Sequence, residues 1–330
     1  MKTTCKMLFA PGFGLVLAFA FIPVSLWAAE EFTLESARTA AAHGDPGAEY
    51  FLGQHYARGQ GVPRDYVKAA EYYRQAAAQG FAFAQNDLGA FYAKGLGVKQ
   101  DFEASAGWYR QAAVQGDSLA QYSLGRIYFL GRGVPKDLPE ALKWYRQSAE
   151  QNQPDALVAL GDLFMFGDVG VKVNYPEAFK CYTNAVAQGR SDCLNSLGLI
   201  YELGYVGEAQ PELAVRCYRQ AAEAGNGKAQ VNLGRMYQSG MGVEKDPAEA
   251  YKWFTLALRN GTAVAGHYLE VLNGSNSLVT ASLTPDQRTE GVRRANDYTK
   301  SHLKPPAGAN PPLSSSAPAE PTNSPAALSP

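Results

Sequence analysis

"WYRQAAVQG" spans Trp108–Gly116. "YYRQAAAQG" lies 36 residues earlier at Tyr72–Gly80, and "WYRQSAEQN" lies 36 residues later at Trp144–Asn152. A phrase returning at a fixed step of this size marks stacked supersecondary units. Working outward, the pair Leu-Gly falls at 52–53, 88–89, 124–125, 160–161, 197–198 and 233–234, with steps of 36, 36, 36, 37 and 36. An aromatic follows each Leu by four residues (Tyr56, Tyr92, Tyr128, Phe164, Tyr201, Tyr237). A small residue precedes it by four (Ala48, Ala84, Ala120, Ala156, Cys193, Ala229). These offsets place all three on one stripe of a helix. A glycine inside that helix costs up to ~1 kcal/mol relative to alanine. Its return in six units predicts that a partner helix backbone approaches too closely for a Cβ.

The loops "GQGVPRD" (59–65), "GLGVKQD" (95–101), "GRGVPKD" (131–137) and "GMGVEKD" (240–246) then break the helix. Their closing Asp is a ready N-cap, and Asp137 with Glu140 or Asp246 with Glu249 has capping-box spacing. The fourth unit carries one extra residue, "GDVGVKVN". The fifth, "GYVGEAQPE", has lost the Asp, so a distorted turn is expected there. In the second helix Ala104, Trp108, Ala112 and Ala113 share a face, and the Trp is expected to fill the seam between units. Gly80, Gly116, Gly189, Gly225 and Gly261 end that helix. The third copy ends on Asn152, the other residue that tolerates left-handed backbone. No helix pair of this kind buries both its apolar faces alone, so each unit must present the same face to the next. "SARTAAAHG" (36–44) has the register of a half-unit covering the first repeat. "VAGHYLEVL" (264–272) has that of a seventh first helix. "LTPDQRTEGVRRANDY" supplies a polar closing helix with Thr284 as cap, Pro285 in its first turn and Gln287 as capping-box partner.

The pattern A-x-x-x-LG-x-x-Y-x-x-G-x-GV-x-x-D-x-x-x-A-x-x-WYR-x-AA-x-QG resembles the Sel-one-like repeat, a relative of the tetratricopeptide repeat, over residues 36 to about 300. The fold class expected is all-α, a right-handed α/α solenoid of about six helix-pair repeats with capping helices at both ends. The repeats run at about 45–80, 81–116, 117–152, 153–189, 190–225 and 226–261, with a C-terminal cap at 262–303. The resemblance implies an adaptor or scaffold rather than an enzyme, and many bacterial members are exported. It also implies that first helices line a concave groove, with positions five and two before each Leu and two, five and six after it facing inward. Those positions include Asn86 in the second unit, Tyr122, Arg126 and Phe129 in the third, Val158, Asp162 and Met165 in the fourth, and Asn195 in the fifth. Aromatic and Met side chains with an Arg suit a protein or peptide partner. A cysteine-rich branch of the family ties helices together with disulfides. Cys193 matches one slot of that pattern, but its partner slot holds Ala185.

Of 330 residues, 46% are hydrophobic and 18% charged, as in a folded chain. Residues 1–29 begin with Lys2 and Lys6 and continue uncharged to Ala29. They are read as a secretory signal or an uncleaved N-terminal anchor, placing the rest in the periplasm or outside a bacterial envelope. Residues 304–330 are rich in Pro, Ser and Ala and are expected to be disordered. Without the two N-terminal lysines the chain carries 28 basic and 31 acidic side chains, which offers no basic stripe for nucleic acid. Cys181, Cys193 and Cys217 are an odd set. Packed thiols are expected, with a bond from Cys193 to either of the others left open. His43, His55, His267 and His302 have no metal-ligand spacing. The glycine loops follow helices rather than strands, unlike phosphate-binding loops. No cofactor is implied. The alternative reading is a cell-envelope hydrolase or a glycan or peptidoglycan adaptor, for which Asp155, Asp162, Asp192 and Glu202 are the acidic groups in the groove.

Overall fold

The computed structural model describes residues 33–273 and 283–302. The expected export segment and the Pro-rich tail lie outside them. The described residues form two compact units divided after Asp137. The first holds α1 (Leu34–Ala42), α2 (Pro46–Arg58), α3 (Tyr66–Ala78), α4 (Ala82–Lys94), α5 (Phe102–Val114) and α6 (Ser118–Leu130). The second holds α7 (Leu138–Glu150), α8 (Pro154–Phe166), α9 (Tyr175–Ala187), α10 (Leu194–Leu203), α11 (Pro211–Glu223), α12 (Gly227–Ser239), α13 (Pro247–Arg259), α14 (Val264–Leu272) and α15 (Pro285–His302). Each even-numbered helix from α2 to α12 carries a Leu-Gly pair. Within each unit, neighbouring helices pack in chain order, as a helical solenoid requires.

The helix-interior glycines make room for a ring, not a backbone. A Cβ on Gly53 would stand 2.6 Å from the ring of Tyr73, and one on Gly89 3.0 Å from Tyr109. In the second unit Gly161, Gly198 and Gly234 stand the same way under Tyr182, Tyr218 and Phe254, at 2.5, 2.5 and 2.6 Å. These rings sit one residue after the Trp slot, and Tyr182, Tyr218 and Phe254 are fully buried. The second letter of "WYR" therefore fills the space within the hairpin. Trp108, expected to do so between units, is half-buried at the edge of the core of α3 and α4. Burying such a ring contributes ~1.5–3 kcal/mol, which offsets the helix penalty of the glycine.

The loops close by one recurring bond. The N–H of Asp65, Asp101 and Asp137 donates to the carbonyl of Tyr56, Tyr92 and Tyr128, at 2.9, 2.9 and 3.0 Å. Asn174, Gln210 and Asp246 donate likewise to Phe164, Tyr201 and Tyr237, at 2.7, 2.8 and 3.1 Å. The extra residue of the fourth loop is absorbed by a tight Asp168–Val171 bridge, which preserves the bond. In the fifth loop Gln210 provides no side-chain cap and Gly207 turns to φ 121°, the distortion expected from losing the Asp. Asp246 caps α13 through the N–H groups of Ala248 and Glu249. The reciprocal half of the predicted capping box is absent, because the N–H it would take already binds Tyr237. Glu249 instead accepts from the Trp253 indole at 3.1 Å, and Glu140 accepts from Trp144 at 3.0 Å. A true capping box does form at Thr284 and Gln287.

A buried amide zips repeats together. Gln85 donates to the carbonyl of Ala77 on the preceding hairpin and accepts from Gln115 on its own. Gln230 repeats this with Ala222 and Asn260. Arg219 adds a second link, reaching the Tyr237 hydroxyl of the next repeat at 2.8 Å. Asn152 has φ +58°, the left-handed conformation expected where its counterparts are glycine. Cys181, Cys193 and Cys217 are all free thiols, so the bond left open for Cys193 is not formed. At the C-terminal end α15 packs on α13. Arg294 bonds Asp246, Glu249 and Glu290, and Tyr298 meets Trp253 edge to face.

Candidate functional site

In the first unit, α2, α4 and α6 present one face whose large side chains reach solvent. Phe83 is 58% exposed, and Leu119 and Leu130 are nearly half exposed. Tyr50, Phe81 and Phe83 form an aromatic cluster there, with ring centroids 5.3–6.2 Å apart. Phe81 occupies the N-cap of α4 without a capping side chain, where α2 and α6 use Asp45 and Asp117. Of the predicted contacts, Arg126 is exposed and Tyr122 half-buried. Phe129 is half-buried with Lys136 over its ring at 5.3 Å. Asn86 is buried and bonds Asp87, so it belongs to the wall rather than the surface. Burial pushes the Asp87 carboxyl up, although Tyr50 and Asn86 both donate to it.

In the second unit, Val158 is half-buried, and Asp162 is exposed as a residue but has its carboxylate drawn in against the buried Tyr182, accepting from its hydroxyl at 2.7 Å. Met165 is only 6% exposed. Five residues after Leu160 the helix surface already turns toward the next repeat, and Met165 belongs to the core that also holds Ile200 of that repeat. Phe166, one residue on, is 65% exposed instead. Asn195 is buried and accepts from Asn232 at 2.9 Å, a rung between first helices. Met165, Asn86 and Asn195 are thus packing groups, and their neighbours carry the accessible surface.

The acidic residues of this face are held by neighbouring donors. Asp155 and Asp192 both hold Arg190, which keeps the Asp192 carboxyl below its usual range. Burial pushes Asp162 up, while its bond from Tyr182 pulls the other way. Glu202 accepts from Tyr218 at 2.6 Å and from Arg235 at 3.1 Å. Asp155 and Asp192 share the Arg190 guanidinium, Asp162 is held by Tyr182, and Glu202 by Tyr218 and Arg235, so each carboxylate is already engaged by a donor of the fold.

A cleft of about 370 Å³ opens between α10, α12 and α14, lined by Glu202, Arg235, Met236, Gln238, Ser239, Met241 and Tyr268. Tyr268 is set by stacking on Phe254, with centroids 4.8 Å apart. Of the groove positions expected from the sequence only Glu202 lines this cleft, and the sixth unit supplies Arg235 and its neighbours. The signal was present, because Arg235 follows Leu233 by two residues, as Arg126 follows Leu124.

Comparison with known proteins gives one consistent picture. The family described as Sel1 repeat matches residues 46–81, 82–117, 118–153, 154–189, 191–226 and 227–262. The chain is similar to c5321, a protective antigen present in uropathogenic Escherichia coli strains that displays an SLR fold. Identity is 32% and the TM-score 0.69, with 82% of this chain and 57% of that one covered. It is also similar to a Sel1 repeat protein from Oxalobacter formigenes, at 31% identity and a TM-score of 0.63, covering 75% and 96% of the two chains. The chain therefore spans a little over half the length of the E. coli antigen. No curated protein matches it.

Proposed function

This chain belongs to the Sel1 repeat family, and from that premise we propose that it is a non-enzymatic scaffold that holds a protein or peptide partner against its first helices. The observation that carries this reading is the exposure of Phe83 and Phe166, at 58% and 65%, on helices whose other aromatic rings, Phe91, Tyr92 and Phe164, are buried or half-buried. Large apolar side chains held in solvent on rigid elements are what an interface core requires. Tyr122, Arg126 and Phe129 on α6 lie on the same face of the first unit and supply aromatic and cationic anchors. The engaged state of Asp155, Asp162, Asp192 and Glu202 favours binding over hydrolysis. The basic start and uncharged run of residues 1–29 support export, with the repeats acting in the bacterial envelope.

The test replaces Tyr122 and Phe129 together with Ala and measures capture of partners from envelope extract beside the parent chain. Capture falls while helical circular dichroism is retained. Undiminished capture by the folded variant removes α6 from the interface, and muropeptide hydrolysis abolished by Asp162→Asn replaces the scaffold reading with an enzyme.

A further inference from the structure

We infer that the cleft between α10, α12 and α14 docks an extended peptide segment through one aliphatic or aromatic side chain and the backbone amides beside it. This deepens the partner-binding reading above and rests on it, giving the partner a place and a chemistry within the second unit.

The size selects a short element. About 370 Å³ is at the lower end of the ~300–1,000 Å³ of ligand pockets, room for one large side chain with its flanking backbone. The accessible apolar surface is the 45% exposed Met241 at the lip and the Tyr268 ring held by Phe254, over a floor formed by Met236, which is only 1% exposed. Thioether side chains adapt to differing shapes, so the walls select for apolar character rather than for one residue type.

The polar groups select an amide. Arg235 donates Nη1–H to Asn232 at 3.2 Å and Nη2–H to Glu202 at 3.1 Å. Glu202 has a buried side chain and is itself held by the Tyr218 hydroxyl. The guanidinium is thereby ordered before any ligand arrives, and three of its five N–H donors remain. The carboxylate of Glu202 offsets its charge, which disfavours an anion, while the guanidinium itself disfavours a cation. Among the described residues the Gln238 amide bonds no protein group. A neutral peptide unit fits both, its carbonyl accepting from Arg235 and its N–H donating to the Gln238 carbonyl.

The probe is N-acetyl-leucine N′-methylamide, with N-acetylglycine N′-methylamide and acetate as controls, titrated into the full chain carrying 13C-methyl methionine. The methyls of Met236 and Met241 shift saturably with the leucine probe, while Met165 on α8 stays in place as the internal reference. The glycine probe responds weakly and acetate does not. Arg235→Gln weakens the leucine probe at least ~10-fold, as loss of a charged hydrogen bond does. Should that variant fail to fold, Met241→Glu at the exposed lip abolishes the shift with the fold intact. An unsaturable response, an equal response to acetate, or a folded Arg235→Gln that binds undiminished overturns the inference. Tyr122 and Phe129 lie outside this cleft, so its failure leaves the capture test on α6 standing, and the reverse holds.

Discussion

A Cβ on Gly198 would stand 2.5 Å from the ring of Tyr218. The glycine of one helix and the buried ring of its hairpin partner are thus one packing unit, repeated through the chain. Gly198→Ala gains up to ~1 kcal/mol of helix propensity but overpacks a buried ring at ~1–3 kcal/mol or more. The net expectation is a loss of about 1–2 kcal/mol in urea unfolding. Tyr218→Ala empties the space the new methyl needs, so the double variant is less destabilised than the sum of the two singles. Strict additivity would show that the ring and the glycine do not share that space.

Left-handed glycines differ in their surroundings. A Cβ on Gly80 meets nothing within 4 Å, whereas one on Gly97 would lie 2.1 Å from the carbonyl oxygen of Tyr66 on the preceding hairpin. Gly80→Ala therefore loses only the ~1–2 kcal/mol of left-handed strain. Gly97→Ala loses more, because backbone must also move. Thermal unfolding of the two variants side by side decides it, and equal melting points would contradict the close approach.

Arg190 sets an acid dependence. Its bonds lower the Asp192 carboxyl in the folded chain. The stability this confers is present above the unfolded value of about 3.9 and is lost as pH falls through the lowered folded value. In Arg190→Gln the Asp192 titration, followed by carboxyl 13C NMR, returns toward that ordinary value, and the stability advantage above pH ~4 shrinks. An unmoved titration would show that the pair is not formed in solution.

Asp162 has the opposite sign. Burial raises its folded carboxyl, so the charged form is destabilising once pH exceeds the unfolded value. Asp162→Asn keeps an acceptor for the Tyr182 hydroxyl and removes the charge. The variant is at least as stable as the parent at pH 7, and its melting temperature changes less between pH 4 and 7. A clear destabilisation at pH 7 would place the carboxylate in a favourable charge environment instead.

Arg294 fastens the closing helix through Asp246, Glu249 and Glu290. Arg294→Ala weakens the docking of α15 on α13 by about 1–2 kcal/mol, since these groups are partly buried and hydrogen-bonded. Amide exchange rises along α15 and leaves α2–α5 unchanged. Protection retained along α15 would assign the docking to Tyr298 and Ala295 alone.

The 36-residue step, the Asp65, Asp101 and Asp246 N-caps, the left-handed Asn152 and the Thr284–Gln287 capping box were all legible in the chain. Each depends on groups close in sequence or on a pattern written six times. The fourth loop shows the same economy, since an extra residue could be counted there before its bridge was seen. The capping box spaced at Asp246 and Glu249 does not close because the Asp246 N–H is taken by the Tyr237 carbonyl, a competition between local bonds that spacing alone does not rank.

The amino-acid sequence by itself determined that helix pairs stack and which face of each carries the leucine. Only the tertiary structure decided that a tyrosine or phenylalanine ring fills the space over these glycines, that Met165 and Asn195 sink into the wall, and that Glu202 fixes Arg235 beside Tyr268. Those outcomes depend on which side chain of another helix arrives opposite a given position. Glu202 and Arg235 are 33 residues apart, and nothing in the chemistry of either residue names the other until the helices have packed.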